Sequence, residues 1–393
     1  MRHVSELKNL DVSDRSRSGV GFSPRFPEIH ASAWAKAHPT TSFVGDVNLS
    51  LSSKECETVK FSSNDLLLVT GATGLVGSHV AQRARELGIR TRALVRANSD
   101  QSLLTQWGVE CVHGDLNDYE SHRGAASGVT ALVHCAAKVG DWGPVEDYRK
   151  VNVHGTDSLL RAVEANGCLK RVVHISSLGV YPARDHHGTD ESVPLSLSGI
   201  DGYTLTKAES EQLVREHIDK QKLPAIILRP GFIYGPRDRT VLPRIMEKLR
   251  TRKFKFLGDG HSLLNNTNVG NLVDAIFLAL DRDDLIGEVF NITDGKLVTK
   301  REFIGRIAQH AGLPVPTKAV PLAVAKGLAK VMEALWKAFD AKDAPILSSA
   351  RIKFLGLNLD YSIEKARKVL GYEPRVNFAE GIEAAVGWCK AAG

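Results

Sequence analysis

Tyr203 and Lys207 stand four residues apart in the run Tyr203-Thr204-Leu205-Thr206-Lys207. On a helix that spacing puts both side chains on one face. An ammonium beside a phenol favours the phenolate and lowers its pKa toward the working range. Such a pair can pass a proton to or from an oxygen on a bound molecule. Alone it is a common surface contact. What gives it chemistry is Ser177, which closes the run Val173-His174-Ile175-Ser176-Ser177. A serine there can hydrogen-bond the same oxygen and turn it toward Tyr203.

A second group of residues could hold a cofactor. The run Thr70-Gly71-Ala72-Thr73-Gly74-Leu75-Val76-Gly77 follows the apolar stretch Leu66–Val69 and opens a helical pattern over Leu75–Leu87. Strand, glycine turn and helix in succession make the first unit of a dinucleotide-binding fold. Gly71 allows the tight turn, Gly74 lets the backbone approach a pyrophosphate, and Gly77 lets the helix lie close to the sheet. The free N–H groups of the helix start, with Thr73, Leu75 and Val76 around them, then face the phosphates. The next strand, Thr91–Val95, ends in Arg96 with Ser99 close behind and carries no acid. An acid there would accept the ribose hydroxyls of NAD; an arginine suits a 2′-phosphate. NADP(H) is therefore favoured, with NAD(H) as the alternative. His134-Cys135-Ala136-Ala137 closes a later strand, and its small residues let the backbone line the nicotinamide ribose. Lys207 could hold the hydroxyls of that ribose.

These residues need a scaffold. Short apolar runs alternate with helical patterns from Leu66 onward, which implies an α/β fold: a Rossmann-type doubly wound parallel sheet. Expected strands are Leu66–Val69, Thr91–Val95, Val109–His113, Ala131–His134, Arg171–Ile175, Ala225–Leu228 and Val289–Ile292. Expected helices between them are Leu75–Leu87, Gln101–Trp107, Val145–Ala165, Tyr203–His217 and Val269–Leu280. After Gly235 the pattern changes to Leu242–Arg250 as a basic helix, Phe254–Leu257 as a strand, then helices over Lys300–His310, Val320–Phe339 and Tyr361–Leu370. The chain thus divides into a loose N-terminal extension (1–63, with a short helix near Ala31–Ala37), a Rossmann domain (64–235) and a smaller, mostly helical substrate lobe (236–393). Within that lobe, 269–295 returns to the sheet.

In order, the motifs of residues 65 to about 390 resemble those of an extended short-chain dehydrogenase/reductase. The T-G-x-x-G-x-x-G spacing carries the resemblance, with Arg229-Pro230-Gly231-Phe232-Ile233-Tyr234-Gly235-Pro236, which is similar to the family's R-P-x-x-x-Y-G-P segment. The resemblance implies that Asp115, followed by Leu116, accepts from the adenine amino group, and that Asn152 supports the helix and a proton relay. It implies a catalytic set of Ser177, Tyr203, Lys207 and Asn152. Ala136, Ala137, Lys138, Tyr203, Lys207 and Pro230 then join the cofactor site. Ala137–Pro144 with Tyr148, and Asn291-Ile292-Thr293-Asp294-Gly295, look like the 3β-hydroxysteroid dehydrogenase branch, which includes sterol-4-carboxylate 3-dehydrogenases and bacterial reductases of long-chain olefin synthesis. The run Gly258–Asn271 departs from that branch, which has Asn, Asp and Tyr near 262, 265 and 268 and Asp at 270.

The activity this implies is interconversion of a secondary alcohol and a ketone on a large apolar substrate, of 3-hydroxysteroid or long-chain 3-hydroxy/3-keto acid type. Two alternatives stand beside it: a nucleotide-sugar epimerase or reductase, and a non-catalytic NADP(H) sensor. Ser177, Leu178 and Gly179 stand where dehydratases of the sugar group carry Thr-Asp-Glu, and Asn265-Asn266 where sugar-nucleotide enzymes tend to carry Arg-Asp.

Composition narrows the partners. Hydrophobic residues make up 43% and charged residues 24% of the 393 positions, as in an ordinary globular protein. The net charge of +6 is spread out rather than gathered with aromatics, so nucleic acid is not an expected partner. Cys56, Cys111, Cys135, Cys168 and Cys389 show no metal-ligand spacing and read as reduced thiols of a cytoplasmic protein. No run approaches the roughly 20 apolar residues of a membrane span. In 322–339, Lys326, Lys330, Glu333 and Lys337 form one polar stripe, away from Leu328, Val331, Met332, Leu335, Trp336 and Phe339. That pattern suits either a core or lid helix or reversible contact with an anionic membrane surface. A homodimer is a further expected assembly.

Overall fold

The computed structural model describes residues 64–339, 341 and 343–392. The expected extension over 1–63, its short helix and Cys56 lie outside the described residues. Seven strands form one parallel sheet: β1 (Leu66–Thr70), β2 (Arg90–Val95), β3 (Glu110–His113), β4 (Ala131–His134), β5 (Arg171–Ile175), β6 (Ala225–Pro230) and β7 (Val289–Ile292). Their order is β7-β6-β5-β4-β1-β2-β3. The reversal beside β1 opens the crevice at the strands' carboxyl ends where such sheets bind ligands.

Every β1 residue is buried. Successive side chains of a strand point to opposite faces, so each strand of this sheet feeds two cores. Leu67 and Val69 pack with Val80, Ala81 and Ala84 of α1 (Leu75–Glu86). Leu272 and Ile276, from a later helix, join the same cluster. Leu66 and Leu68 face Leu159, Leu160 and Val163 on the other side. Two short helices, α2 (Ser102–Gln106) and α3 (Tyr119–Ala126), join β2 to β3 and β3 to β4. Helix α3 was not expected, since its sequence has no long apolar stripe. It starts because the Asp118 side chain accepts from Glu120 N.

The helix expected over Val145–Ala165 exists as α4, but it is not regular. Val145–Arg149 passes through a π turn at Lys150–His154 into Gly155–Ala165. Helix α5 (Gly202–Gln221) begins where Asp201 accepts from Thr204 N and Oγ1, both at 2.8 Å. Helices α6 (Val241–Arg250), α7 (Val269–Leu280), α8 (Lys300–Ala311), α9 (Leu322–Ala338), α10 (Ser349–Gly356) and α11 (Phe378–Ala392) complete the fold. Helix α7 packs with α1 against the sheet, and β7 pairs with β6. Tyr234, Phe303, Phe378 and Ile382 form a separate apolar cluster. Tyr361, expected to start a helix, instead ends the strand Leu359–Tyr361, which pairs with His186–Thr189.

Helix α9 corrects the core-helix expectation. It packs through Ala325 and Ala329, while Val331 and Phe339 are 58% and 79% exposed and Leu328 and Leu335 also face outward. Ala325 and Ala329 cluster with Ile352 of α10, and Leu322 packs against the same cluster. No helix among the described residues is long and apolar enough to cross a membrane.

Candidate active site and dinucleotide cradle

The turn between β1 and α1 is packed backbone to backbone against its neighbours. Gly71 has φ +68°, and a Cβ there would meet the backbone of Ala136 at 2.9 Å. A Cβ at Gly77 would lie 2.3 Å from the Gly71 carbonyl oxygen, so helix and turn touch backbone to backbone. At Gly74 a Cβ would meet only the Gly71 oxygen, at 3.2 Å. No side chain caps α1. Its first N–H groups therefore point into a concave space that a phosphate would fill. These residues fit a dinucleotide pyrophosphate.

The neighbouring strand ends supply side chains in the expected order. Arg96 is exposed just past β2, and its guanidinium bonds to no described residue. Asp115 Oδ1 accepts from the N and Nδ2 of Asn117, both at 2.9 Å, which leaves Oδ2 for a ligand donor. Leu116 is buried beneath Gly155. At the end of β4, Ala136 N donates to Thr70 Oγ1 at 3.2 Å.

The π turn carries Asn152 inward, and all of its amide is used. Oδ1 accepts from Lys138 N at 2.7 Å, and Nδ2 donates to Lys138 O and Thr206 Oγ1. Asn152 thus ties the loop Ala136–Lys138 to α5. The Lys138 ammonium turns away to Asp147 at 3.3 Å, so only its backbone belongs to this tie. A buried chain continues from the Asn152 carbonyl through Thr156 and His134 to Thr70.

Ser177, Tyr203 and Lys207 come together over β5. Ser177 Oγ accepts from Gly179 N at 3.0 Å, and its hydroxyl acts on the Tyr203 phenol in favour of the ionised form. Lys207 is buried, and its Nζ donates to the Ile175 carbonyl at 2.6 Å. The expected lowering of the Tyr203 pKa is not found. Burial pushes the phenol up, the Ser177 hydrogen bond opposes this, and Asp201 adds to the rise. Lys207 bears the opposite shift: burial lowers it to about 8, against the pull of Glu211 and Cys135. Desolvation is the largest cause of both shifts.

Several residues of the site were not anticipated. Glu211, one turn beyond Lys207, accepts from Ser176 Oγ at 2.7 Å and pairs with Arg229. Lys353 of α10 donates to the carbonyls of Gly179 and Tyr181 at 2.5 and 2.9 Å, which pins α10 over the Ser177 loop. Neither has a local sequence signal. Two motif residues prove structural. Tyr234 donates to Asp294 Oδ2 at 2.9 Å, and the same carboxylate accepts from Asn266 and Asn271 side chains and from Asn268 N. The asparagines of the divergent 258–271 run are thus largely spent inside the fold. Pro230 ends β6, buried.

The family model of the NAD dependent epimerase/dehydratase family matches residues 67–293. The chain belongs to this family. Among curated proteins it is 32% identical over 324 residues to a 2-alkyl-3-oxoalkanoate reductase of Stenotrophomonas maltophilia, covering 80% of this chain and 97% of that one. It is 31% identical to a 4-hydroxy-2-methyl-3-oxo-4-farnesyl-3,4-dihydroquinoline-1-oxide ketoreductase of Stigmatella aurantiaca, at 80% and 94% coverage. Similarity to a mouse sterol-4-alpha-carboxylate 3-dehydrogenase is 28%, at 81% and 89% coverage. The crystal structure of gox2253 superposes with a TM-score of 0.71 at 31% identity, covering 84% and 99%. This epimerase/dehydratase family member is an NAD(P)-dependent oxidoreductase.

Proposed function

We propose that the protein interconverts a secondary alcohol and a ketone on a large apolar molecule, using NADP(H) and the set Ser177, Tyr203 and Lys207. The substrate class favoured is a 3-hydroxysteroid or a long-chain 3-hydroxy or 3-keto acid. The single observation that carries this reading is the convergence of three side chains at the end of β5: the Ser177 hydroxyl acts on the Tyr203 phenol, and the Lys207 ammonium donates to the Ile175 carbonyl two residues before Ser177. When bound in the cradle, the reduced cofactor supplies a hydride to the carbonyl carbon.

The chain's own residues do the rest. Ser177 donates to the carbonyl oxygen and polarises it. Tyr203 gives the same oxygen its phenolic proton as negative charge develops. The Lys207 ammonium stabilises the phenolate left behind and has two remaining N–H groups for ribose hydroxyls. Asn152, with its amide fully bonded, holds the cradle loop and α5 in register as a positioning residue. The relatives named for 3-oxo substrates support the substrate class. The exposed Arg96 at the end of β2 supports NADP(H) over NAD(H). Asn265-Asn266, in place of Arg-Asp, speak against a sugar nucleotide.

The test is NADPH oxidation with 3-ketosteroids, 2-alkyl-3-keto acids and sugar nucleotides, in parallel with Tyr203→Phe. Turnover of either 3-keto class is expected, reduced about 10²–10⁴-fold in the variant. NADPH affinity should be unchanged. Turnover of sugar nucleotides alone, or a fully active variant, overturns the reading.

A further inference from the structure

The loop between Pro236 and α6 sends two arginines back toward the glycine turn. Asp238, between them, is buried and accepts from the N–H groups of Thr240, Val241 and Leu242, each at 2.9 Å. That fixes the loop and turns its neighbours the other way. Arg237 holds a left-handed backbone angle, φ +70°, unusual for a residue with a side chain. Its guanidinium donates to Gln82 of α1 at 2.8 Å and lies over the Trp107 ring, 5.2 Å from the centroid. Arg239 reaches Asp100, between β2 and α2, at 3.4 Å.

Thr73, Gly74, Ser78, Asp100, Arg237 and Arg239 line one cavity. Its position is informative. One wall is the glycine turn and the other is the connection that follows β2. In this fold the adenosine ribose lies between those two elements, and its 2′ position faces the end of the second strand. The cavity therefore opens where a 2′-phosphate would stand, not toward the nicotinamide. Its cations outnumber its one carboxylate. The Arg239–Asp100 pair is more than half exposed on both sides, so breaking it costs little. Asp100 also keeps its bonds from Ser102 N and Oγ when Arg239 leaves. A phosphate offers a guanidinium stronger, bidentate geometry.

We propose that Arg239, backed by Arg237, is a second cation for the 2′-phosphate of NADP(H), so that recognition is shared between Arg96 at the end of β2 and a loop entering α6. This rests on the NADP(H) reading above. Recognition from both sides would draw the loop onto the glycine turn when the phosphorylated cofactor binds.

The experiment is fluorescence titration of the full chain with NADPH and with NADH, for wild type, Arg239→Ala, Arg239→Lys and Arg237→Gly. Glycine accepts the backbone angle at 237, so that variant removes the guanidinium without adding strain. Arg239→Ala is expected to weaken NADPH about tenfold or more, the worth of one charge-assisted contact. NADH affinity should stay within about twofold, which also reports an intact fold. Arg239→Lys should keep most of the preference, and Arg237→Gly should lose part of it. If wild type prefers NADH, the cofactor reading fails and takes this proposal with it. If wild type prefers NADPH and Arg239→Ala keeps that preference, the proposal alone is wrong. Equal loss of both nucleotides also overturns it, since the arginine would then serve the pyrophosphate or the fold.

Discussion

Arg229 and Glu211 meet in a bidentate pair closed to solvent, with Nε to Oε2 at 2.9 Å and Nη2 to Oε1 at 2.6 Å. Arg229 also donates to Tyr181 Oη at 2.6 Å, and Glu211 accepts from Ser176. The pair therefore joins β6, the helix that carries Tyr203 and Lys207, and the loop that carries Ser177. Burial raises the Glu211 carboxyl, but its bonds from Arg229 and Ser176 outweigh this and hold it below the usual range.

Removing one partner leaves the other buried and uncompensated. Glu211→Ala is expected to cost about 3–5 kcal/mol of stability. Urea unfolding of variant and wild type measures this. Glu211→Gln, which keeps an acceptor for Ser176, should lose less. A loss under about 1 kcal/mol for Glu211→Ala would mean that water reaches Arg229.

The pH profile of reduction separates Lys207 from Tyr203. Reduction needs the phenol protonated and the ammonium charged. Burial raises Tyr203 above its ordinary value, so it stays protonated through neutral pH. Burial lowers Lys207 to about 8, so the ammonium is lost first. We expect kcat/KM to hold below about pH 8 and to fall roughly tenfold per unit above it. In Lys207→Arg the guanidinium stays charged, so whatever activity remains should persist past pH 9. A wild-type profile flat to pH 10 would rule out this assignment.

Gly77 tests the cradle. A Cβ there would sit 2.3 Å from the Gly71 carbonyl oxygen and 2.6 Å from its carbon. Both are backbone atoms at a fixed turn, so neither can swing aside. Gly77→Ala is expected to lose about 1–3 kcal/mol of stability. Affinity for either dinucleotide should fall at least about tenfold, because the displaced turn is the one that receives the pyrophosphate. Thermal melts with and without NADPH read both effects. Stabilisation by NADPH equal to that of wild type would place the phosphates elsewhere.

What the sequence revealed was what chain neighbours decide. Leu66–Thr70, the glycines at 71, 74 and 77 and the start of α1 form one continuous local unit, so its shape follows from residue type and spacing. Ser177, Tyr203 and Lys207 were legible because motif order implies their meeting. Glu211 was not: its partner lies on another strand, and a glutamate on a helix otherwise reads as solvated. The π turn around Asn152 was equally hidden, since the helical segments flanking it, of 5 and 11 residues, are too short for a shift in apolar phase to be read. The direction of the Tyr203 shift is not legible, because i,i+4 spacing names a neighbour but not the burial that raises the phenol. Only the core reading of helix α9 fails, for a related reason: contact runs through Leu322, Ala325 and Ala329, while Leu328, Val331, Leu335 and Phe339 lie outside it.

His134 and His174 sit side by side on β4 and β5, rings 5.5 Å apart, beneath Lys207. Burial first, and Lys207 second, lowers His134 to about 3, and the same causes lower His174 well below its ordinary value. Both rings are therefore neutral in the folded protein. In the unfolded chain an imidazole gains its proton near pH 6.5. Between those values the unfolded state binds a proton that the folded state refuses, so stability falls as pH drops below about 6.5. At pH 5 His134 alone should cost about 2 kcal/mol relative to neutral pH. His134 at least has Thr70 and Thr156 as hydrogen-bond partners, whereas neither ring nitrogen of His174 has one. Replacing an unsatisfied buried polar group with an apolar one of similar size is neutral or stabilising. His174→Leu is thus expected to raise the unfolding free energy by up to about 1 kcal/mol at pH 7.5. It should also lose less between pH 7.5 and pH 5, because one titrating group is gone. Urea unfolding at both pH values measures the two effects. If His174→Leu is instead destabilised by the same amount at each pH, its ring is held by a partner in solution and does not contribute to the acid limb.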